Sequence, residues 1–148
     1  MQIRKFQPGD FTVYLEFSRD FYSGGAVLHP VDEQNFKNTF DACIAESPYT
    51  QGYLLKEEGK PAGYVLVSKT WSNEVGGLSV LLEELYVAPA FRGKKLGTQF
   101  FAWFFDTYSD AKRLRLEVNE ENEGAIRLYE RLGFTFLEYR QMILDRGE

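Results

Sequence analysis

Apolar positions along the chain change their period several times, and each change marks a new element. Ile3 to Phe6 reads as a strand that stops at Pro8-Gly9. From Phe11 to Tyr22 the spacing becomes helical: Val13, Phe17 and Phe21 share a face with Tyr14, Asp10 stands where a cap belongs, and Ser23-Gly24-Gly25 breaks the run. After His29-Pro30, Asp32 can cap a second helix with the stripe Phe36, Phe40, Cys43 and Ile44, closed by Ser47-Pro48. Gly52 to Glu57 and Gly63 to Thr70 are β-branched and aromatic runs on either side of Glu58-Gly59-Lys60-Pro61, a hairpin signal. A turn from Trp71 to Gly77 leads into a further strand, Leu78 to Val87.

Gly93 to Tyr108 carries Leu96, Phe100, Trp103 and Phe104 on one helical face, and Phe101 and Phe105 widen it, so this helix is covered on most sides. Leu114, Leu116 and Val118 alternate as a strand. Asn122 to Leu132 forms the last helix, ended by Gly133, and Phe134 to Leu144 the last strand. The order β-α-α-β-β-β-α-β-α-β predicts an α/β fold of the mixed α+β kind, a sheet flanked by helices. At 148 residues and 44% apolar content, residues 1–148 are expected to make a single domain with a real core.

Composition narrows the function. The formal charge of -5 argues against a general nucleic-acid binder, which needs a basic surface to displace counterions, and suits a cationic partner instead. Cys43 is the one cysteine, so an intrachain disulfide, a zinc cluster and a Cys-x-x-Cys redox pair are all excluded. The first ten residues lack the apolar core of a signal peptide and no run reaches membrane-spanning length, so a cytoplasmic protein with no membrane partner is expected. Thirteen phenylalanines and nine tyrosines leave aromatic area to line a pocket or cover an interface.

The chemistry concentrates between Leu82 and Gly97. A strand-like run, Leu-Glu-Glu-Leu-Tyr-Val, passes through Ala88-Pro89-Ala90-Phe91 into Arg92-Gly93-Lys94-Lys95-Leu96-Gly97 and a strongly apolar helix. Amides in the first turn of a helix have no intrahelical acceptor and carry partial positive charge, so a glycine-bearing basic loop opening onto them can hold a pyrophosphate. Glu83 and Glu84 are neighbours on the preceding strand, so their side chains point to opposite faces and one of the two is expected to enter a cleft. His29 is a base candidate only as the single histidine, and a turn role beside Pro30 explains it as well.

These residues resemble the GNAT family of N-acetyltransferases. Arg92 and Gly97 match the outer places of its acyl-CoA signature, (Arg/Gln)-x-x-Gly-x-(Gly/Ala), with Lys95 standing at the middle glycine. A second stretch, Asn122 through Ala125, Ile126, Leu128 and Tyr129 to Gly133-Phe134, resembles the family's N-x-x-A-I-x-L-Y-x-x-x-G-F. The resemblance implies a central mixed, mostly antiparallel sheet of roughly six or seven strands with about four helices. It implies acetyl-CoA as co-substrate and no metal. Leu85, Tyr86 and Val87 would pair with the pantetheine arm, and Arg92, Gly93, Lys94, Lys95, Leu96, Gly97 and Thr98 would hold the pyrophosphate.

Within that family Tyr129 corresponds to the general acid for the departing thiolate, a role open to a phenol that keeps its proton at neutral pH. Tyr129 also lies on a helical stripe and could fill a core. Asn122 is a favoured helix cap and, by resemblance, a donor contact. The segment Leu-Glu-(Asp/Glu)-x-(Phe/Tyr)-Val resembles the polyamine-acetylating branch, which uses the first acid; this favours Glu83 over Glu84 as base and substrate contact, unless a bulge reverses the facing. Tyr22 falls where the family's early helices border the acceptor.

The expectation is therefore direct transfer, in a ternary complex, to a small primary amine such as a polyamine. The alternatives are acetylation of a protein N-terminus or lysine, and a non-catalytic acyl-CoA-binding module. A homodimer, common in the family, would cover surplus rings.

Overall fold

The computed structural model describes residues 1–24 and 30–147. His29, and Gly25 of the helix-breaking Ser23-Gly24-Gly25, lie outside the described residues. Two compact units emerge, residues 1–116 and residues 117–148.

The first unit is built on a five-stranded sheet in the order β1-β2-β3-β4-β5. Its strands are β1 (Gln2–Lys5), β2 (Thr50–Glu57), β3 (Lys60–Ser72), β4 (Gly77–Val87) and β5 (Arg113–Leu116). The first four form an antiparallel meander, and β5 joins β4 in parallel. Helices α1 (Phe11–Ser23) and α2 (Glu33–Ile44) connect β1 to β2, and α3 (Leu96–Thr107) makes the crossover from β4 to β5 that parallel strands require.

Local chemistry explains most boundaries. Glu57 pairs with Lys60, leaving Glu58 and Gly59 as a two-residue loop, and both have the positive φ (50° and 77°) that matches the twist of a hairpin. The Asp32 carboxylate accepts the Gln34 amide and caps α2 as expected. Asp10 does not cap α1. Its carboxylate instead accepts the Gln7 amide at 2.7 Å and both Arg4 guanidinium nitrogens at 2.7 and 3.1 Å, so it ties the approach to α1 back onto β1.

Two cores flank the sheet. Phe6, Tyr14, Phe36, Phe40, Cys43, Leu54, Tyr64, Leu66 and Tyr86 pack together between the sheet and α1–α2. On the other side Tyr53 of β2 meets Trp103 of α3 at 4.7 Å between ring centres, beside buried Phe100, Phe101 and Phe104. Gly63 lets β3 and β4 approach closely, because a Cβ there would stand 1.9 Å from the Tyr86 carbonyl oxygen.

The second unit holds α4 (Glu123–Arg131). The Asn122 side chain accepts the Ala125 amide as its cap. Gly133, at φ 101°, closes the helix: its amide reaches the Glu130 carbonyl and the Phe134 amide reaches that of Tyr129. The expected last strand is absent. Residues 134–144 form no strand, and Phe136, Tyr139, Met142, Ile143 and Leu144 are largely exposed. The described sheet thus has five strands where six or seven were expected, while the described residues form four α-helices, as anticipated.

Candidate active site

A bulge in β4 creates the site. Leu66 of β3 pairs with Glu84 and Val67 with Leu82, so Glu83 is an extra residue in β4. The pairing of β4 with β5 ends one residue earlier, at Leu82 opposite Leu116. From there β4 keeps β3 on one side, and no strand of the described residues pairs with its other edge. Ala88 donates its amide to the Ala62 carbonyl on the β3 side, so by alternation Leu85 and Val87 turn their backbone groups to the open edge.

The bulge also decides which acid faces inward. Glu84, not Glu83, is turned toward α1, against the expectation that favoured Glu83. Its Oε2 accepts the Tyr22 hydroxyl at 2.5 Å and its Oε1 the Tyr64 hydroxyl at 2.6 Å. Glu83 is exposed and accepts the Ser68 hydroxyl at 2.7 Å. Burial pushes the Glu84 carboxyl above its ordinary range; the two tyrosine hydroxyls pull it partly back, and the Glu83 charge adds to the rise.

A second rung crosses the same gap in the opposite sense. The Tyr86 hydroxyl of β4 donates to Asp20 of α1 at 2.5 Å. Each element thus supplies one acid and one tyrosine. Burial first, and the bond to Asp20 second, push the Tyr86 phenol up to about 12, so it stays a donor at neutral pH. Beside this rung lies a cleft of about 390 Å³ between the C-terminal end of α1 and residues 85–87 of β4, with Arg92 at its edge.

The loop after β4 has the form of an anion cradle. Gly93 lies at φ 78°, Lys95 is left-handed at φ 58° and ψ 25°, and α3 starts at Leu96 with no side chain capping its first amides. Lys95, standing at the signature's middle glycine, thus has a left-handed backbone of the kind that favours glycine. Arg92, Lys94, Lys95 and Thr98 are exposed around this helix start, and Gly97 is half-buried. The open edge at Leu85 and Val87 runs directly into the loop. Amide donors, surplus positive charge and a free strand edge together fit a diphosphate joined to an extended, amide-bearing arm.

The profile of the acetyltransferase (GNAT) family matches residues 12–134. The chain belongs to that family. Among curated relatives, this GNAT protein is 33% identical over 85 residues to an uncharacterized N-acetyltransferase of Methanocaldococcus jannaschii, covering 55% of this chain and 38% of the relative. It is 29% identical over 107 residues to the thialysine N-epsilon-acetyltransferase of Sus scrofa, covering 66% and 57%. The chain thus spans about half the length of the curated relatives it matches. Among solved structures, a possible acetyltransferase from Clostridium difficile 630 superposes with a TM-score of 0.81 at 17% identity, covering 99% of this chain and 98% of the other. An aminoglycoside N-acetyltransferase in complex with CoA gives 0.74 at 17% identity, covering 99% and 95%. At these identities the two structures attest the GNAT fold.

Glu84, Tyr22 and Tyr86 meet within this site, and Leu85, Val87 and residues 92–98 adjoin it in the same unit. Tyr129 and Asn122 belong to the second unit. There Tyr129 is half-buried against the Phe134 ring, 6.1 Å away between centres, and burial raises its phenol above the ordinary value. Asp20, Tyr64 and Ser18 were missed by sequence reasoning. Asp20 and Ser18 sit on polar positions of α1, which the apolar stripe passes over; only the four-residue spacing of Ser18 from Tyr22 hinted at a shared face, and nothing in the spacing pointed to Asp20. Among the described residues no group of three or more His, Cys, Asp or Glu could hold a metal ion, and no helix is long and apolar enough to cross a membrane.

Proposed function

We propose that residues 1–148 act as one acetyl-CoA-dependent N-acetyltransferase that modifies a small primary amine. The observation that carries this reading is the Glu84 carboxylate, lifted in pKa and braced by two tyrosine hydroxyls beside the open edge of β4 that leads into the cradle. A carboxylate accepting two hydrogen bonds keeps further lone pairs for an incoming ammonium group. Its raised pKa brings it closer to the amine it must deprotonate.

In this reading Glu84 takes a proton from the ammonium, directly or through one water. The freed nitrogen lone pair forms a bond to the thioester carbonyl carbon, the C–S bond breaks, and the sulfur leaves with the electron pair. Tyr129, by its place in the family motif, gives a proton to the thiolate; the second proton, shed by the acylated nitrogen as it becomes an amide, restores the phenol through water, and Glu84 releases its own proton to solvent. The balance is an amide, a free thiol and one proton released to solvent. Holding amine and thioester together supplies much of the rate. No covalent acyl-enzyme is needed.

The Sus scrofa relative's name, thialysine, denotes an amino acid with a side-chain amine, and the CoA-bound neighbour is named for aminoglycosides; both lend support to an amine acceptor. Mass spectrometry of products from polyamine, aminoglycoside, amino-acid and peptide panels with acetyl-CoA tests the proposal. Acetylated small amines are the expected result. Acetylated peptides alone would move the assignment to protein acetylation, and CoA binding without transfer to any amine would leave a non-catalytic acyl-CoA module.

A further inference from the structure

The cleft beside β4 already holds a cation, and it is the protein's own. The Arg92 guanidinium stands 5.7 Å from the centre of the Tyr86 ring, with Nη2 3.8 Å from Asp20 Oδ2 and Nε donating to the Val87 carbonyl at 2.7 Å. The arginine of the cradle loop therefore spends its donors on α1 and the end of β4. Both partners of the Asp20 pair are about half exposed (57% and 50% of the side chain), so the contact is weak and open to exchange. A diphosphate on the α3 amides would offer this guanidinium paired oxygens and more charge than one solvated carboxylate does.

We propose that Arg92 is a placeholder: it fills, on Asp20 and the Tyr86 ring, the position of a second positive charge on the acceptor, and vacates it when the donor's diphosphate is bound. This rests on the acetyl-transfer reading only for which amine reacts, namely the one at Glu84. Glu84 and Tyr86 lie on one face of β4, about 7 Å apart along the strand. The Tyr64 and Tyr86 rings stack at 5.7 Å, and their hydroxyls reach Glu84 and Asp20 respectively. The acids at the ends of these two rungs are thus spaced for a short diamine, one nitrogen at each. The aromatic face of Tyr86 adds cation-π attraction for the distal charge, as it now does for Arg92. Donor and diamine then bind cooperatively, and each raises the affinity of the other by the same factor.

Calorimetric titration of the whole chain with 1,4-diaminobutane and with butylamine, each with and without saturating CoA, tests the exchange. CoA is expected to tighten the diamine by about 5-fold or more and to leave butylamine unchanged within about 2-fold. Arg92→Gln should bind the diamine equally with and without CoA, and Asp20→Asn should bring the diamine to the affinity of butylamine. Neither replacement empties the core, since both side chains are half exposed. Equal affinity for the two amines in the unaltered protein, or coupling that survives Arg92→Gln, would overturn the proposal. Coupled diamine binding with no acetylated product would support the exchange and refute acetyl transfer. Acetylated product with no coupling would do the reverse.

Discussion

Both faces of the sheet are lined with rings, yet the hydroxyls on the two faces end in different partners. Toward α3 the lining is Phe100, Phe101 and Phe104, and the hydroxyls present, Tyr53 and Tyr108, close on each other at 2.6 Å. Toward α1 the lining is Tyr14, Tyr64 and Tyr86, and hydroxyls from this face run to carboxylates. In a tyrosine pair one hydroxyl donates to the other and no charge is left over. A tyrosine on a carboxylate leaves acceptor capacity, and a charge, at the edge of a cleft. The α3 face is therefore an apolar core and the α1 face a core with a charged margin.

The sharpest test of that contrast is Glu84→Gln, which keeps shape and removes the proposed base. We expect kcat/KM for amine acetylation to fall by about 100- to 10,000-fold, the range of general-base effects, in steady-state assays. The pH profile carries a second signature. Burial holds the Glu84 pKa above that of an ordinary carboxylate, so the rate of the unaltered enzyme should climb with pH through a correspondingly higher value, and this limb should vanish in the variant. Stability has the opposite sign. Because the folded state holds this proton more tightly than the unfolded one, the contribution is full below the unfolded pKa and declines as pH rises through the folded value. Denaturant melts across that interval should show the decline in the parent and not in the variant.

Phe100→Ala probes the other face. Phe100 is fully buried, and truncating such a ring costs about 3 to 5 kcal/mol through lost burial and the cavity left behind. Denaturant unfolding should register that loss, while the rate per folded molecule and its pH profile stay as in the parent. A changed acid limb in this variant would break the division between the faces.

Tyr129→Phe asks whether a hydroxyl of the second unit takes part. Transfer should slow by about 10- to 1000-fold with donor affinity little changed. An unaltered rate would count against that role.

What could be read in the sequence was what is local. The caps Asp32 and Asn122, the Glu58-Gly59 turn and the stop at Gly133 are each set by residues within a few positions, so chemistry at that range decides them. The facing of Glu83 and Glu84 was not legible, because strict alternation fails at a bulge, and the bulge is a property of two strands in register. Ser18 and Asp20 went unread for a related reason. Helical periodicity marks apolar residues, whereas Ser18 is fully buried and Asp20 meets Tyr86 across the gap between α1 and β4. Phe134 to Leu144 shows the limit from the other direction. A strand-like composition becomes a strand only when it pairs with another strand, and these residues form no ladder. Asp10 was assigned to the wrong group because Arg4, six residues back, offered its carboxylate a charged partner.

The smallest effect expected is at the cradle, where neither face reaches. Lys95 holds a left-handed backbone at φ 58°, which costs a residue with a Cβ about 1 to 2 kcal/mol. Glycine removes that strain but loses more entropy on folding, by about 0.5 to 1 kcal/mol, so Lys95→Gly should stabilise the chain by roughly 0.5 to 1 kcal/mol. In a thermal melt that is a rise of about 2 °C. The donor separates two meanings of the same lysine. If its side chain is merely tolerated at the helix start, acetyl-CoA affinity measured by calorimetry holds or improves in the glycine variant. A large loss would mean that the ammonium group itself binds phosphate, and that the positive margin of the cradle depends on side-chain charge as much as on the α3 amides.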